Sequence, residues 1–137
     1  MYKKIMVPVD LSHREKLDKA IATAADLSKF YKAVVQMVGV TGSAPSAAAR
    51  TPEEFAAKLA KFAAVESERY GVEFGAHAIT TTDPATDLDD RLGREAQDIG
   101  ADLIVMGSHV PGMAEHLLSS RAGYLASHAD ISVFIVR

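Results

Sequence analysis

Pro8-Val9-Asp10 puts a carboxylate directly after an apolar run. Leu103 to Ser120 reads LIVMGSHVPGMAEHLLSS: an apolar run, a glycine, two polar residues, Val-Pro-Gly and a helix-like stretch. Both segments contain residue types that bind or position a polar ligand. A glycine such as Gly107 lets backbone N–H groups approach a phosphate chain with no Cβ in the way, and it permits a loop to curl. A helix N-terminus that follows adds partial positive charge. Each residue also has a plainer reading. Asp10, with Ser12 behind it, is a natural cap for a first helix; the two roles are compatible, since one oxygen can cap while the other meets a ligand. Pro8 lacks an N–H and so can close a ladder, the role preferred for it here. His109 can donate to a ligand oxygen or fix its own loop through a bond to the backbone.

These residues need elements to hold them. Ile5 to Val9 is a nearly unbroken apolar run, as expected of a strand covered on both faces. Leu17, Ala20, Ile21, Ala24 and Leu27 recur at spacings of three and four, which predicts an amphipathic helix from about His13 to Phe30. Val34 to Val40 reads as a second strand. Phe55, Leu59 and Phe62 mark a second helix, entered through Thr51-Pro52-Glu53-Glu54 with a capping hydroxyl, an N1 proline and first-turn acids. Val72 to Thr80 is the third strand, and the helix from Pro84 carries Leu88, Leu92, Ala96 and Ile99 on one face. Leu103 to Met106, a helix from Met113 to about Ala129, and Val133 to Val136 complete the pattern. Residues 41–51, beginning TGSAPSAAAR, read as a flexible loop or lid. Alternating strands and helices imply a single α/β domain over residues 1–137, with a five-stranded parallel sheet and helices on both faces. In such sheets ligands sit beyond the carboxyl ends of the strands, where the order reverses. For the order 3-2-1-4-5, the Asp10 and Gly107 segments are neighbours at that point.

Composition narrows the function. The 137 residues are 48% hydrophobic, enough for one core, and fifteen basic against eighteen acidic residues leave a net charge of −3. No basic block exists to draw nucleic acid by bulk charge. There is no cysteine, hence no disulfide or thiolate chemistry. No apolar run approaches membrane-spanning length, so a soluble, cytoplasmic protein without membrane insertion is expected. His13, His77, His116 and His128 lack the spacing of metal ligands. Asp87, Asp89 and Asp90 read as a solvated helix start. No hydrolase elbow, Walker loop or dinucleotide fingerprint occurs, and no base stands beside a nucleophile, so the sequence makes no case for turnover.

KKIMVPVD at the start, DPATDL after the third strand, ADLIVMGSH at the fourth and HADISVFIV at the end together resemble the universal stress protein family over essentially the whole chain. The resemblance implies a Rossmann-like domain of the HUP type. It also implies an adenine nucleotide, ATP or AMP, held by Pro8, Val9 and Asp10, by Gly39 and Val40 near the end of the second strand, and by the loop Met106, Gly107, Ser108, His109 and Val110. Ser119, Ser120 and Arg121 follow in the last helix. Nucleotide-binding members carry G-x-x-G in the loop and G-[ST] further on. This chain is most similar to a subgroup with S-H-R-P and L-L-G-S, here Ser108-His109-Val110-Pro111 and Leu117-Leu118-Ser119-Ser120. Val110 therefore stands where the subgroup has arginine, Ser119 where it has glycine, and Gly39 where the family has an apolar residue.

The departures leave three readings. The first is a regulatory stress-response protein that binds the nucleotide with little or no hydrolysis and alters contact with an unidentified protein partner, any Mg²⁺ riding on the phosphates. The second is a nucleotide-free dimeric scaffold, and the third a slow ATP-hydrolysing enzyme. The apolar strand Val133 to Val136 lies at a sheet edge in the expected order, and the resemblance implies a homodimer through it.

Overall fold

The computed structural model describes residues 1–82, 84–107 and 130–137, with the backbone alone for 84–90. The expected last helix and residues 108–121 of the expected site lie outside the described residues. The elements run β1 (Lys4–Pro8), a 3₁₀ segment (Leu11–Lys16), α1 (Asp18–Tyr31), β2 (Val34–Gly42), α2 (Pro52–Tyr70), β3 (Phe74–Thr81), α3 (Pro84–Asp98), β4 (Leu103–Gly107) and β5 (Ser132–Val136). All strand pairs are parallel and the order is β3-β2-β1-β4-β5, so the sheet reverses between β1 and β4 as the sequence implies.

Both faces are packed. On one, Ile5, Val7, Val35, Met37, Leu103 and Val105 meet Ala20, Ile21 and Ala24 of α1 and Phe55, Leu59 and Phe62 of α2. On the other, Met6, Val38, Ile79, Ile104 and Met106 meet Leu92 and Ala96 of α3. Alternate residues of each central strand thus serve opposite layers, which explains why these strands read as continuous apolar runs. His77 Nε2 and Glu95 Oε1, 2.7 Å apart, tie α3 to β3.

Some boundaries differ from the sequence reading. The first helix begins at Asp18, not near His13, and residues 11–16 form a 3₁₀ segment with His13 at φ −137°, ψ 51°. Leu11 and Leu17 are both buried. In an unbroken helix, residues six apart lie about 120° apart around the axis, and the kink at His13 lets both reach the core. β2 continues to Gly42 because Thr41 and Gly42 pair with Thr80 and Thr81; these two residues belong to the sheet and not to the loop. The remainder of that loop is hydrogen-bonded: Ser46 N donates to Ala49 O at 2.8 Å, Lys58 Nζ donates to Ala48 O at 2.7 Å, and Ala49 is buried. The start of α2 matches the sequence: Pro52 is its first residue, and Thr51 Oγ1 accepts from Glu54 N at 3.1 Å.

Candidate functional site

β1 and β4 are clamped at one end and open at the other. At their amino ends the Asp102 carboxylate accepts from Lys3 N at 2.9 Å and Lys4 N at 3.0 Å, while Asp102 N donates to Lys4 O at 3.0 Å. Pairing between the strands covers Ile5 with Leu103 and Met6 with Ile104, then stops. Backbone groups alternate in direction along a strand. Lys4 faces β4, and Val9 faces β2, donating to Val38 O at 2.8 Å; beyond Met6, the next residue on the β4 side is therefore Pro8, which has no N–H to give. The ladder ends there, leaving the carboxyl ends of β1 and β4 unpaired with each other beyond it, at the switch point of the sheet.

Asp10 stands just past this opening. Its Oδ1 accepts from Ser12 N at 2.9 Å and its Oδ2 lies 3.1 Å from His13 Nδ1. The carboxylate caps the 3₁₀ segment and also holds the imidazole of that segment. An ionised carboxylate offers about four lone-pair positions; these contacts use two, and the Asp10 side chain keeps 31% of its surface exposed. The sequence reading had one oxygen free for a ligand, whereas both oxygens already bond within the chain. His13, considered in the sequence only as a metal ligand, is an immediate neighbour of the expected site. Its pairing depends on the kink, which periodicity does not reveal.

Pro8 pairs with Val38, which sets Gly39 and Val40 beside Val9 and Asp10. The two residues face opposite layers. Val40 packs partly buried on the α3 side. Gly39 is buried under α2: a Cβ built on it would lie 2.8 Å from Cζ and 2.9 Å from Cε1 of Phe55. Helix packing therefore accounts for the missing side chain at this position, and only the backbone of Gly39 is left to face a ligand. An apolar side chain does not fit because a phenylalanine ring occupies its place.

Gly107 is the converse case. Its φ is not positive, and among the described residues a Cβ built on it would meet nothing nearer than Lys16 O, at 3.9 Å, an ordinary contact. Neither backbone strain nor packing among the described residues requires glycine here. Met106 beneath it is buried in the α3 layer. The approach of Lys16 to Gly107 brings the 3₁₀ segment alongside the end of β4, so this segment joins Asp10 at one end of the opening to Gly107 at the other. Among the described residues no group of three or more His, Asp or Glu side chains is arranged to hold a metal ion, and no helix is long and apolar enough to cross a membrane.

The comparisons agree with this architecture. The chain is 31% identical to universal stress protein G of Shigella flexneri over 148 aligned residues, covering the whole of both chains. The fold resembles a universal stress protein in complex with cAMP, with a TM-score of 0.70 at 19% identity over 99% of this chain and 97% of that one. It likewise resembles the Archaeoglobus fulgidus universal stress protein in complex with dAMP, with a TM-score of 0.68 at 21% identity over 99% and 98%. The model of the universal stress protein family matches residues 1–137. A five-stranded parallel sheet in this order, with its opening at the β1–β4 switch point and a family match along its full length, makes the chain a member of the universal stress protein family.

Proposed function

We propose that the chain binds an adenine nucleotide, ATP or AMP, across the carboxyl ends of β1, β2 and β4 as a regulatory stress-response protein of the cytoplasm, with little or no hydrolysis. The observation that carries the reading is Gly107: a glycine that neither its backbone angle nor packing among the described residues requires, at the mouth of an opening that Pro8 creates. A missing Cβ there leaves room for backbone N–H groups to meet a phosphate. Asp10, with lone pairs remaining, accepts from ribose hydroxyls or the adenine amino group, and Val40 offers an apolar contact. Family members in complex with cAMP and dAMP support the choice of adenine and phosphate. Any Mg²⁺ arrives on the phosphates. Nucleotide extracted from the purified protein and identified by mass spectrometry tests the proposal; protein that yields none and takes up none on incubation sinks it. Timed ADP release tests the absence of turnover.

A second reading, a nucleotide-free dimeric scaffold, draws on Asp10, whose two oxygens are already bonded within the chain. Dimerisation belongs to both readings. β5 pairs with β4 and forms the sheet edge, with Phe134 and Ile135 45% and 44% exposed. An apolar edge with only Arg137 as a guard among the described residues invites pairing with its own copy about a two-fold axis. We assign the homodimer contact to Val133 to Val136. Sedimentation at micromolar concentration should show a wild-type dimer and a Phe134→Lys monomer; a wild-type monomer defeats the assignment.

A further inference from the structure

The 3₁₀ segment Leu11–Lys16 carries Arg14 and Lys16, both exposed. Some cations elsewhere in the chain are engaged: Lys4 with Ile99 O, Lys19 with Arg137 O, Lys58 with Glu54, and Arg69 with Asp18 and Glu66. Among the described residues, neither Arg14 nor Lys16 enters an ion pair. The segment starts at Asp10, which bonds its Ser12 and His13, and ends with Lys16 O 3.9 Å from the Cβ position of Gly107. It therefore spans the opening from the sugar-binding end to the phosphate-binding end of the proposed site. Val110 brings no charge where the related subgroup has arginine, and the chain as a whole carries −3.

We infer that Lys16, with Arg14 beside it, supplies the side-chain charge for the phosphates of the bound nucleotide. The inference rests on the nucleotide reading above and adds a role for the strand-to-helix connection after β1. The backbone approach at Gly107 brings the segment to the phosphates, and the lysine and arginine side chains are long enough to follow a chain of two or three phosphates past it. AMP, with one phosphate, gains less from them than ATP. Lys16 and Arg14 thereby tilt the site toward the longer phosphate chain.

Competition binding with ATP, AMP, adenosine and inorganic tripolyphosphate tests this on the wild type, Lys16→Gln and Arg14→Gln/Lys16→Gln. Lys29→Gln, in the last turn of α1, serves as a control that removes the same charge far from the opening. Each cation removed near the opening should weaken ATP and tripolyphosphate by about five- to tenfold, as expected of one charge pair at the protein surface. AMP should weaken less, adenosine should be unchanged, and the control should match wild type. Equal weakening of ATP and adenosine, or none for either, overturns the inference while leaving adenine binding in place. Tripolyphosphate binding that falls in the variants, from a wild type that does not bind adenosine, supports the inference and sinks the adenine reading. A wild type that binds none of the four probes overturns both.

Discussion

Gly39 and Gly107 should respond in opposite ways to the same added methyl group. At Gly107 the new Cβ meets, among the described residues, only Lys16 O, at 3.9 Å, and the backbone is not in the left-handed region. Gly107→Ala should therefore stabilise the fold by about 0.4–1 kcal/mol by restricting the unfolded chain. For a domain of this size that raises Tm by roughly one to four degrees. At Gly39 the Cβ lands 2.8 Å from Phe55 Cζ and 3.2 Å from Leu59 Cδ2. These atoms belong to a buried ring and a buried leucine on α2, so the ring must move within a packed core or the helix must shift with it. Overpacking of this kind costs about 1–3 kcal/mol, and Gly39→Ala should lower Tm by several degrees. Ligand binding separates the two in the other direction. The methyl at 107 should weaken ATP about tenfold or more, since a hydrogen bond to a charged group contributes about 1.5–3 kcal/mol. Gly39→Ala should keep ATP affinity once corrected for the unfolded fraction. Differential scanning fluorimetry and ATP titration on the same samples give both readings. A Gly107→Ala protein as destabilised as Gly39→Ala, or one that binds ATP like wild type, refutes the claim that Gly107 is kept for the ligand.

Glu54 accepts a hydrogen bond from Lys58, and also one from Arg50 N, which hold its carboxyl below the ordinary value of 4.5. A depressed carboxylate contributes stability that is fully present above 4.5 and lost as pH falls through the lower folded value; in urea denaturation, Glu54→Gln should flatten that acid limb, and an unchanged limb would remove the assignment. Val110→Gly combined with Ser119→Gly should tighten ATP more than adenosine, because ATP alone carries the phosphate chain those positions are expected to face. An equal gain for both ligands, measured by titration, would mean that the changes act through general loop flexibility.

The sheet was legible because each central strand packs on both faces, so apolar runs such as Ile5 to Val9 and Leu103 to Met106 could hardly be anything else. The cap at Thr51 and the proline after it marked the start of α2 to the residue. Other features depend on contacts distant in sequence. The late start of α1 follows from burying both Leu11 and Leu17, a demand that the periodicity from Leu17 onward does not express. Thr41 and Gly42 resemble a loop in composition but are held in the sheet by pairing with β3. Gly39 enters the expected site through the resemblance at the end of the second strand, but the reason it is a glycine is the Phe55 ring, contributed by a helix some sixteen residues later in the sequence. The contact of Lys16 with Gly107 crosses from one end of the chain to the other and requires the strand order and the kink together. Motif residues 108–121 lie outside the described residues, so their expected roles rest on the resemblance in sequence.

Calorimetric titration with ATP, ADP and AMP, with and without Mg²⁺, tests the central claim most directly when run on wild type, Asp10→Ala, Asp10→Ser and Asp89→Ala. Serine is as good a cap as aspartate, so Asp10→Ser keeps the start of the 3₁₀ segment while removing the carboxylate. The account predicts saturable binding of an adenine nucleotide by wild type and by Asp89→Ala, and clear weakening in both Asp10 variants with Asp10→Ser as thermally stable as wild type. No binding by wild type, or equal affinities for the Asp10 and Asp89 variants, would contradict it.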